Sequence, residues 1–114
     1  MNIVYTQHME GHGVTWWAVD TVHEAIQGSL YGVMVSPDNF YVSNMYVHPA
    51  CRRQGVGSTL LQHCLDHLPV SVTTVTLDDC SGPLHGTTLY TRLGFQYVED
   101  GYPEMVYYRG GLQR

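Results

Sequence analysis

Between Cys51 and Leu68 the sequence reads CRRQGVGSTLLQHCLDHL. Arg52 and Arg53 stand just ahead of Gly55 and Gly57, and a run with helical spacing follows. The first amides of a helix lack partners inside it and lie at the positive end of its dipole. Glycines let a ligand approach the backbone closely. A turn of this kind holds an anion, typically a phosphate or pyrophosphate, and the two arginines add charge. The same residues also describe a plain strand-to-helix turn with solvated arginines, and spacing alone leaves both readings open. Two phosphate motifs are excluded. No Lys-Ser or Lys-Thr follows the second glycine, as a Walker loop requires. Only one G-x-G is present, and no glycine directly follows the preceding strand, as a dinucleotide fingerprint requires.

Other chemistry is sparse. Cys51, Cys64 and Cys80 are odd in number and scattered, with no C-x-x-C, which argues against a disulfide framework or a zinc site. The seven histidines keep no metal-ligand spacing. His8 and His12 are four apart but lie among glycines and read as surface residues, so no metal is expected. The formal net charge of −5 argues against a nucleic-acid partner, which needs a basic surface. It suits a cationic partner, and it equally suits nothing more than solubility. No apolar run is long enough to span a bilayer. The opening MNIVYTQHMEGHG lacks the charged start and apolar stretch of a secretory leader. A cytoplasmic protein without a membrane partner is expected.

The elements that must position the turn follow from patterning. The 114 residues, 44% hydrophobic and 13% charged, suit one globular domain over 1–114, with 110–114 a frayed tail. Asn2–Gln7 reads as a first strand. Residues 15–27 are ambiguous. Val22, Glu24 and Ile26 alternate like a strand ahead of a turn at Gln27-Gly28-Ser29, while Thr21 and Glu24 have capping-box spacing for a short helix. The alternation favours strand. Leu30–Ser36 and Phe40–Val47 form a hairpin around Pro37-Asp38-Asn39. Val56, Leu60, Leu61, Cys64, Leu65 and Leu68 carry helical spacing, closed by Pro69. Val70–Leu77 is a strand by β-branching. A second helix starts near Pro83 and stops at Gly94. Two short strands, FQYV and MVYYR, flank the turn EDGYPE. The fold class is α+β or mixed α/β: a twisted, mostly antiparallel sheet of six or seven strands. It contains one parallel strand–helix–strand unit and two main helices.

The stretch NMYVHPACRRQGVGSTLL resembles the acetyl-CoA motif of the GNAT superfamily, the acyl-CoA-dependent N-acyltransferases. Arg52-x-x-Gly55-x-Gly57 matches the family's Arg/Gln-x-x-Gly-x-Gly/Ala, and Val47-x-Pro49 matches its strand end. LYTRLGF, Leu89–Phe95, is similar to the family element that closes the last helix. The resemblance covers about Val22 to Arg109, with both motifs in family order. It implies a GNAT-like sheet in which Phe40–Val47 and Val70–Leu77 splay apart around the pantetheine arm of acetyl-CoA, the cosubstrate. The backbone of Met45, Tyr46 and Val47 would hold pantetheine and the thioester carbonyl. The pyrophosphate would rest on Arg52, Arg53, Gln54, Gly55, Val56, Gly57 and Ser58. Tyr90 matches the tyrosine that reaches the thioester sulfur and acts as general acid, or only packs and positions it.

The sequence also departs from the family. Pro83 stands where the family commonly has asparagine. Few residues separate Gln7 from Thr15, so the helices that wall the acceptor pocket are reduced or missing, which opens the site or leaves it to another subunit. FYVSNMYV has no carboxylate to act as base. Asp78 and Asp79 are the candidates for base or amine binding, against a reading as solvated turn residues, with His48 behind them. Cys51 and Cys80 are not needed as nucleophiles, because direct attack forms no covalent enzyme intermediate. Of Trp16 and Trp17, adjacent in a strand, one faces the core and the other can line the acceptor groove. The resemblance implies an N-acetyltransferase acting on a primary amine of a protein or small molecule. The alternative is a non-catalytic acyl-CoA-binding or interaction protein. A homodimer would cover the exposed groove and sheet edges.

Overall fold

Alternation between buried and exposed side chains sets the strands and gives the sheet two very different faces. The computed structural model describes residues 2–49, 55–79, 89–99 and 101–109. The elements are β1 (Ile3–Glu10), β2 (Gly13–Asp20), β3 (Ala25–Ser36), β4 (Asn39–Val47), α1 (Val56–His67), β5 (Thr74–Asp78), α2 (Leu89–Leu93), β6 (Gln96–Tyr97) and β7 (Glu104–Tyr108). All seven strands join one sheet in the order β1-β2-β3-β4-β5-β7-β6. Every neighbouring pair is antiparallel except β4 and β5, which run parallel because α1 carries the chain between them. This is the mixed sheet the sequence implies. The beginning of the second helix, Pro83 and the tail 110–114 lie outside the described residues, as do Cys51 and Cys80.

Both helices pack on one face. Val56, Leu60, Leu61, Cys64 and Leu65 of α1 are buried against Trp16, Ala18, Leu30, Phe40, Val75 and Met105. Leu89, Tyr90 and Leu93 of α2 lean on the same cluster. Trp16 meets Phe40 edge to face, with ring centroids 5.9 Å apart, and its Nε1–H donates to Gln7 Oε1 at 3.2 Å. Trp16 is therefore the core member of the tryptophan pair, and Trp17 points to the opposite face. Cys64 is wholly buried, and burial pushes its thiol pKa up to about 12, which makes it an inert core residue.

Three local expectations are corrected. Residues Thr21–Glu24 form a turn, neither strand nor helix. Asp20 closes it: its Oδ1 accepts from the Val22 amide at 3.0 Å and its Oδ2 lies 2.8 Å from His23 Nδ1. The His23 hydrogen bond holds the Asp20 carboxyl below its usual pKa. The expected turn at Gln27-Gly28-Ser29 is instead continuous strand, with the register shifting beside it between Ala18 and Val19. Gly28 serves close approach rather than turning. A Cβ there would sit 3.0 Å from the Tyr46 carbonyl oxygen and 3.3 Å from Val56 Cγ1. The third correction is at Val70–Leu77, where pairing begins only at Thr74. The β-branched residues before it bring the chain back from α1: the Val72 amide donates to the Pro69 carbonyl at 3.0 Å, and Val70 is 97% exposed.

Arg109, just past β7, fastens this return. Its guanidinium donates to the carbonyls of Pro69 at 2.6 Å, Val72 at 2.8 Å and Leu68 at 3.4 Å. Hydrogen bonds from a charged donor are each worth about 1.5–3 kcal/mol. Arg109→Ala is expected to lower unfolding stability by about 2 kcal/mol, read as a shifted urea midpoint at unchanged slope.

Candidate active site

The parallel pair stops early. β4 and β5 register from Asn39 opposite Thr74 to Val42 opposite Leu77. Past Val42, β4 continues beside β3, while β5 ends beside β7, where Asp78 lies opposite Glu104. The strands part in a V. A bulge causes the change of course: Gly32 pairs with Val42 but Tyr31 pairs with Asn44, which leaves Ser43 as the extra residue. The bulge also reverses the alternation. Before it, Phe40 and Val42 face the core. After it, Met45 and Val47 do, and Tyr46 stands 45% exposed on the other side.

The start of α1 lies against the end of β4. A Cβ on Gly57 would be 3.3 Å from Val47 Cγ2, 3.4 Å from Leu89 Cδ2 and 4.0 Å from Met45 Cε. One point thus gathers the strand end, the helix start and the first residue of α2. Gly55, at φ 80, turns the chain into the helix through a left-handed conformation that glycine adopts without strain. No side chain caps α1 and its first turn holds no acid, so nothing in the helix competes with an anion for those amides. Ser58 lines a groove of about 310 Å³ between α1 and α2, with Gln62, His63 and Leu93. Arg52, Arg53 and Gln54 lie outside the described residues, so the cationic half of the cradle is not placed here.

The two aspartates separate. Asp79 is buried on the helix side, where Tyr97 Oη–H donates to its Oδ2 at 2.8 Å. That bond raises the Tyr97 phenol above its usual pKa. Asp78 is exposed on the opposite face, at the mouth of the V, and accepts from Tyr41 Oη–H at 3.0 Å. A single acceptor amine cannot meet both carboxylates on one face. Tyr90 is half-buried in α2, edge-on to Phe95 with centroids 6.2 Å apart. The linear sequence does not single out Tyr41 and Tyr97, the phenols that hold the aspartates. Their signal is cross-strand register, which one chain read linearly does not display. Among the described residues no three His, Cys, Asp or Glu side chains converge as a metal site would require.

A family model described as an acetyltransferase (GNAT) domain matches residues 11–97, which is most of the chain. The chain belongs to the GNAT acetyltransferase family. No curated protein matches its sequence. Solved structures share its fold at low identity. A GNAT family acetyltransferase from Elizabethkingia anophelis with acetyl-CoA bound is 15% identical, with a TM-score of 0.74 over 94% of this chain and 98% of that one. The putative N-acetyl transferase YhhK from E. coli, bound to coenzyme A, is 14% identical, with a TM-score of 0.73 over 95% and 99%. Arabidopsis thaliana NAA60 in complex with a bisubstrate analogue is 20% identical, with a TM-score of 0.69 over 86% and 76%. The first two are matched almost end to end, so the short frame of this GNAT domain is shared with other solved members. Its β1 and β2 are joined by Gly11 and His12 alone, with Gly11 at φ 61.

Proposed function

We propose that this GNAT domain moves the acetyl group of acetyl-CoA to a primary amine by direct attack in a ternary complex. The amine belongs to a protein lysine or N-terminus, or to a polyamine. The observation that carries the reading is that β4, after leaving β5 past Val42, runs on to Met45 and Val47, which lie against the uncapped start of α1. The E. anophelis and E. coli structures, which hold acetyl-CoA and coenzyme A, support the choice of cosubstrate.

In this reading the amides from Gly55 to Ser58, with Arg52, Arg53 and Gln54, take the pyrophosphate. The β4 backbone at Met45, Tyr46 and Val47 takes the pantetheine arm and polarises the thioester carbonyl, so that charge developing on its oxygen is stabilised. The amine nitrogen bonds to the carbonyl carbon. The C–S bond breaks with its electron pair on sulfur, and Tyr90 gives that sulfur a proton. Asp78 at the open face binds the incoming ammonium and takes its first proton directly or through water, and the nitrogen's second proton, released as the tetrahedral intermediate collapses, returns through water to the Tyr90 phenolate. Asp79 stays inside, holding Tyr97 and the end of β5.

The test is thiol release from acetyl-CoA with a panel of amines. Turnover by the wild type is expected, and Tyr90→Phe should lower kcat about 100-fold with little change in KM for acetyl-CoA. Tight acetyl-CoA binding without turnover on any amine would make the chain a non-catalytic acyl-CoA binder. Turnover unchanged in the variant would leave Tyr90 a packing residue.

A further inference from the structure

The sheet face away from α1 and α2 carries no helix among the described residues. Register places its side chains. Val4 lies opposite Val19, Thr6 opposite Trp17, Val19 opposite Ile26, Thr15 opposite Tyr31, and Ser29 opposite Tyr46. Of these, Val4 is 47% exposed, Ile26 55%, Tyr31 41% and Tyr46 45%. Large apolar side chains on one contiguous face mark an interaction surface.

The band is not uniform. It ends at the mouth of the V in two carboxylates, Asp78 and Glu104, which are direct cross-strand partners. Like charges placed opposite one another destabilise a sheet. Asp78 is joined to Tyr41, and no cation among the described residues pairs with either acid. The chain has no lysine. Of its described arginines, Arg92 sits on α2, and Arg109 is bound to carbonyls at the far end of α1. Among the described residues no cation offsets this charge, which stands where the proposed acceptor enters, beside an aromatic band.

The geometry points to a docking surface for an extended, lysine-bearing polypeptide, a substrate class that rests on the acetyl-transfer reading. Its cationic side chain is drawn to Asp78 and Glu104, and a hydrophobic residue nearby in its sequence seats on Tyr31 and Tyr46. Tyr31 lies on β3, two strand spacings from β5, which is about 10 Å where the strands are paired and somewhat more across the V. An extended chain covers that distance in about three residues. The favoured acceptor therefore carries an aromatic or aliphatic side chain about three residues from the lysine. A free polyamine offers the charge but nothing for the aromatic band. A second copy of this acidic chain would bring carboxylates rather than cations to the acid pair.

The test is binding without acetyl-CoA, so that it is independent of transfer. The probe is a fluorescein-labelled ten-residue peptide with one lysine, flanking arginines and a phenylalanine three residues from the lysine. Anisotropy is expected to show saturable binding that weakens at least tenfold in Asp78→Asn/Glu104→Gln and in Tyr31→Ser. Added salt should weaken binding to the wild type and to Tyr31→Ser far more than to the double variant. Asp66→Asn/Glu24→Gln removes the same charge elsewhere and should bind like the wild type. Equal loss in that control would reduce the effect to net charge and overturn the proposal. Complete displacement by spermine at concentrations equal to the peptide's would overturn it in favour of a small amine. So would peptide exclusion together with a dimer on gel filtration that Tyr31→Ser dissociates, which would assign the face to a second copy. Acetyl-CoA calorimetry on the same preparation reports separately on the cosubstrate site, so either reading can fail while the other stands.

Discussion

Gly57→Glu is expected to abolish acetyl-CoA binding while the domain stays folded. Gly57 is the second residue of α1 and has an ordinary helical backbone, so a side chain there meets no conformational penalty. The space is tight, because a Cβ comes within 3.3 Å of Val47 Cγ2 and 3.4 Å of Leu89 Cδ2. The Leu89 tip can yield by a few tenths of an ångström, and the stiffer Val47 methyl yields through a small shift at the end of β4. An acid near a helix start also favours the helix, by about 0.3–1 kcal/mol. Stability should thus be nearly unchanged. The carboxylate would, however, stand where the amides of α1 offer a pyrophosphate its positive potential. Two unit charges 4 Å apart repel by about 4 kcal/mol at the effective dielectric of a protein surface. A loss of at least 100-fold in affinity follows, since about 1.4 kcal/mol is tenfold. Calorimetric titration with acetyl-CoA checks it, with Gly57→Ala as the steric control and thermal melts for both. Wild-type affinity in Gly57→Glu would remove the cradle from the start of α1. Equal losses in both variants would make the effect one of space rather than charge.

Much of this site is legible in the sequence, because its parts are local. Glycine spacing, a strand end at Val47-x-Pro49 and helical periodicity from Val56 all lie within about twenty consecutive residues, and each is set by backbone chemistry that needs no distant partner. The hairpin around Pro37 and the single parallel crossover are legible for the same reason. What escapes is what depends on pairing. Gly28 reads as a turn residue until Tyr46 and Val56 are seen to press on it. Val70–Thr73 reads as strand by composition, yet the chain needs those residues to return from α1. Asp78 and Asp79 read as one acidic site, although strand alternation sends them to opposite faces and Tyr41 and Tyr97 hold them there. The bulge at Ser43 has no sequence signal of its own. It is fixed by register against β3, and it is the feature that opens the V.

That bulge rests on Gly32, where substitution should have the largest effect on stability. A Cβ at Gly32 would overlap Cε2 and Cζ of the Phe40 ring and lie 2.7 Å from the Tyr41 carbonyl oxygen. Phe40 is wholly buried and braced by Trp16, so the ring has no room to retreat. The carbonyl belongs to the β4 backbone, which is tied on both sides to β3 and β5. Overpacking of a filled core costs about 1–3 kcal/mol, occasionally more. Gly32→Ala should reach the upper end, about 3 kcal/mol, and Gly32→Val should prevent folding. The damage is not confined to stability. Gly32 pairs with Val42, the last residue of β4 in register with β5. Displacing it moves the point at which the strands part, so folded Gly32→Ala should also bind acetyl-CoA more weakly. Phe40→Leu in the Gly32→Ala background should recover part of the stability by removing the ring edge, but not the remainder caused by the carbonyl. A double-mutant cycle by urea unfolding measures that coupling. An alanine that costs nothing would mean that Phe40 does not sit over Gly32, and the account of what bends β4 away from β5 would fall with it.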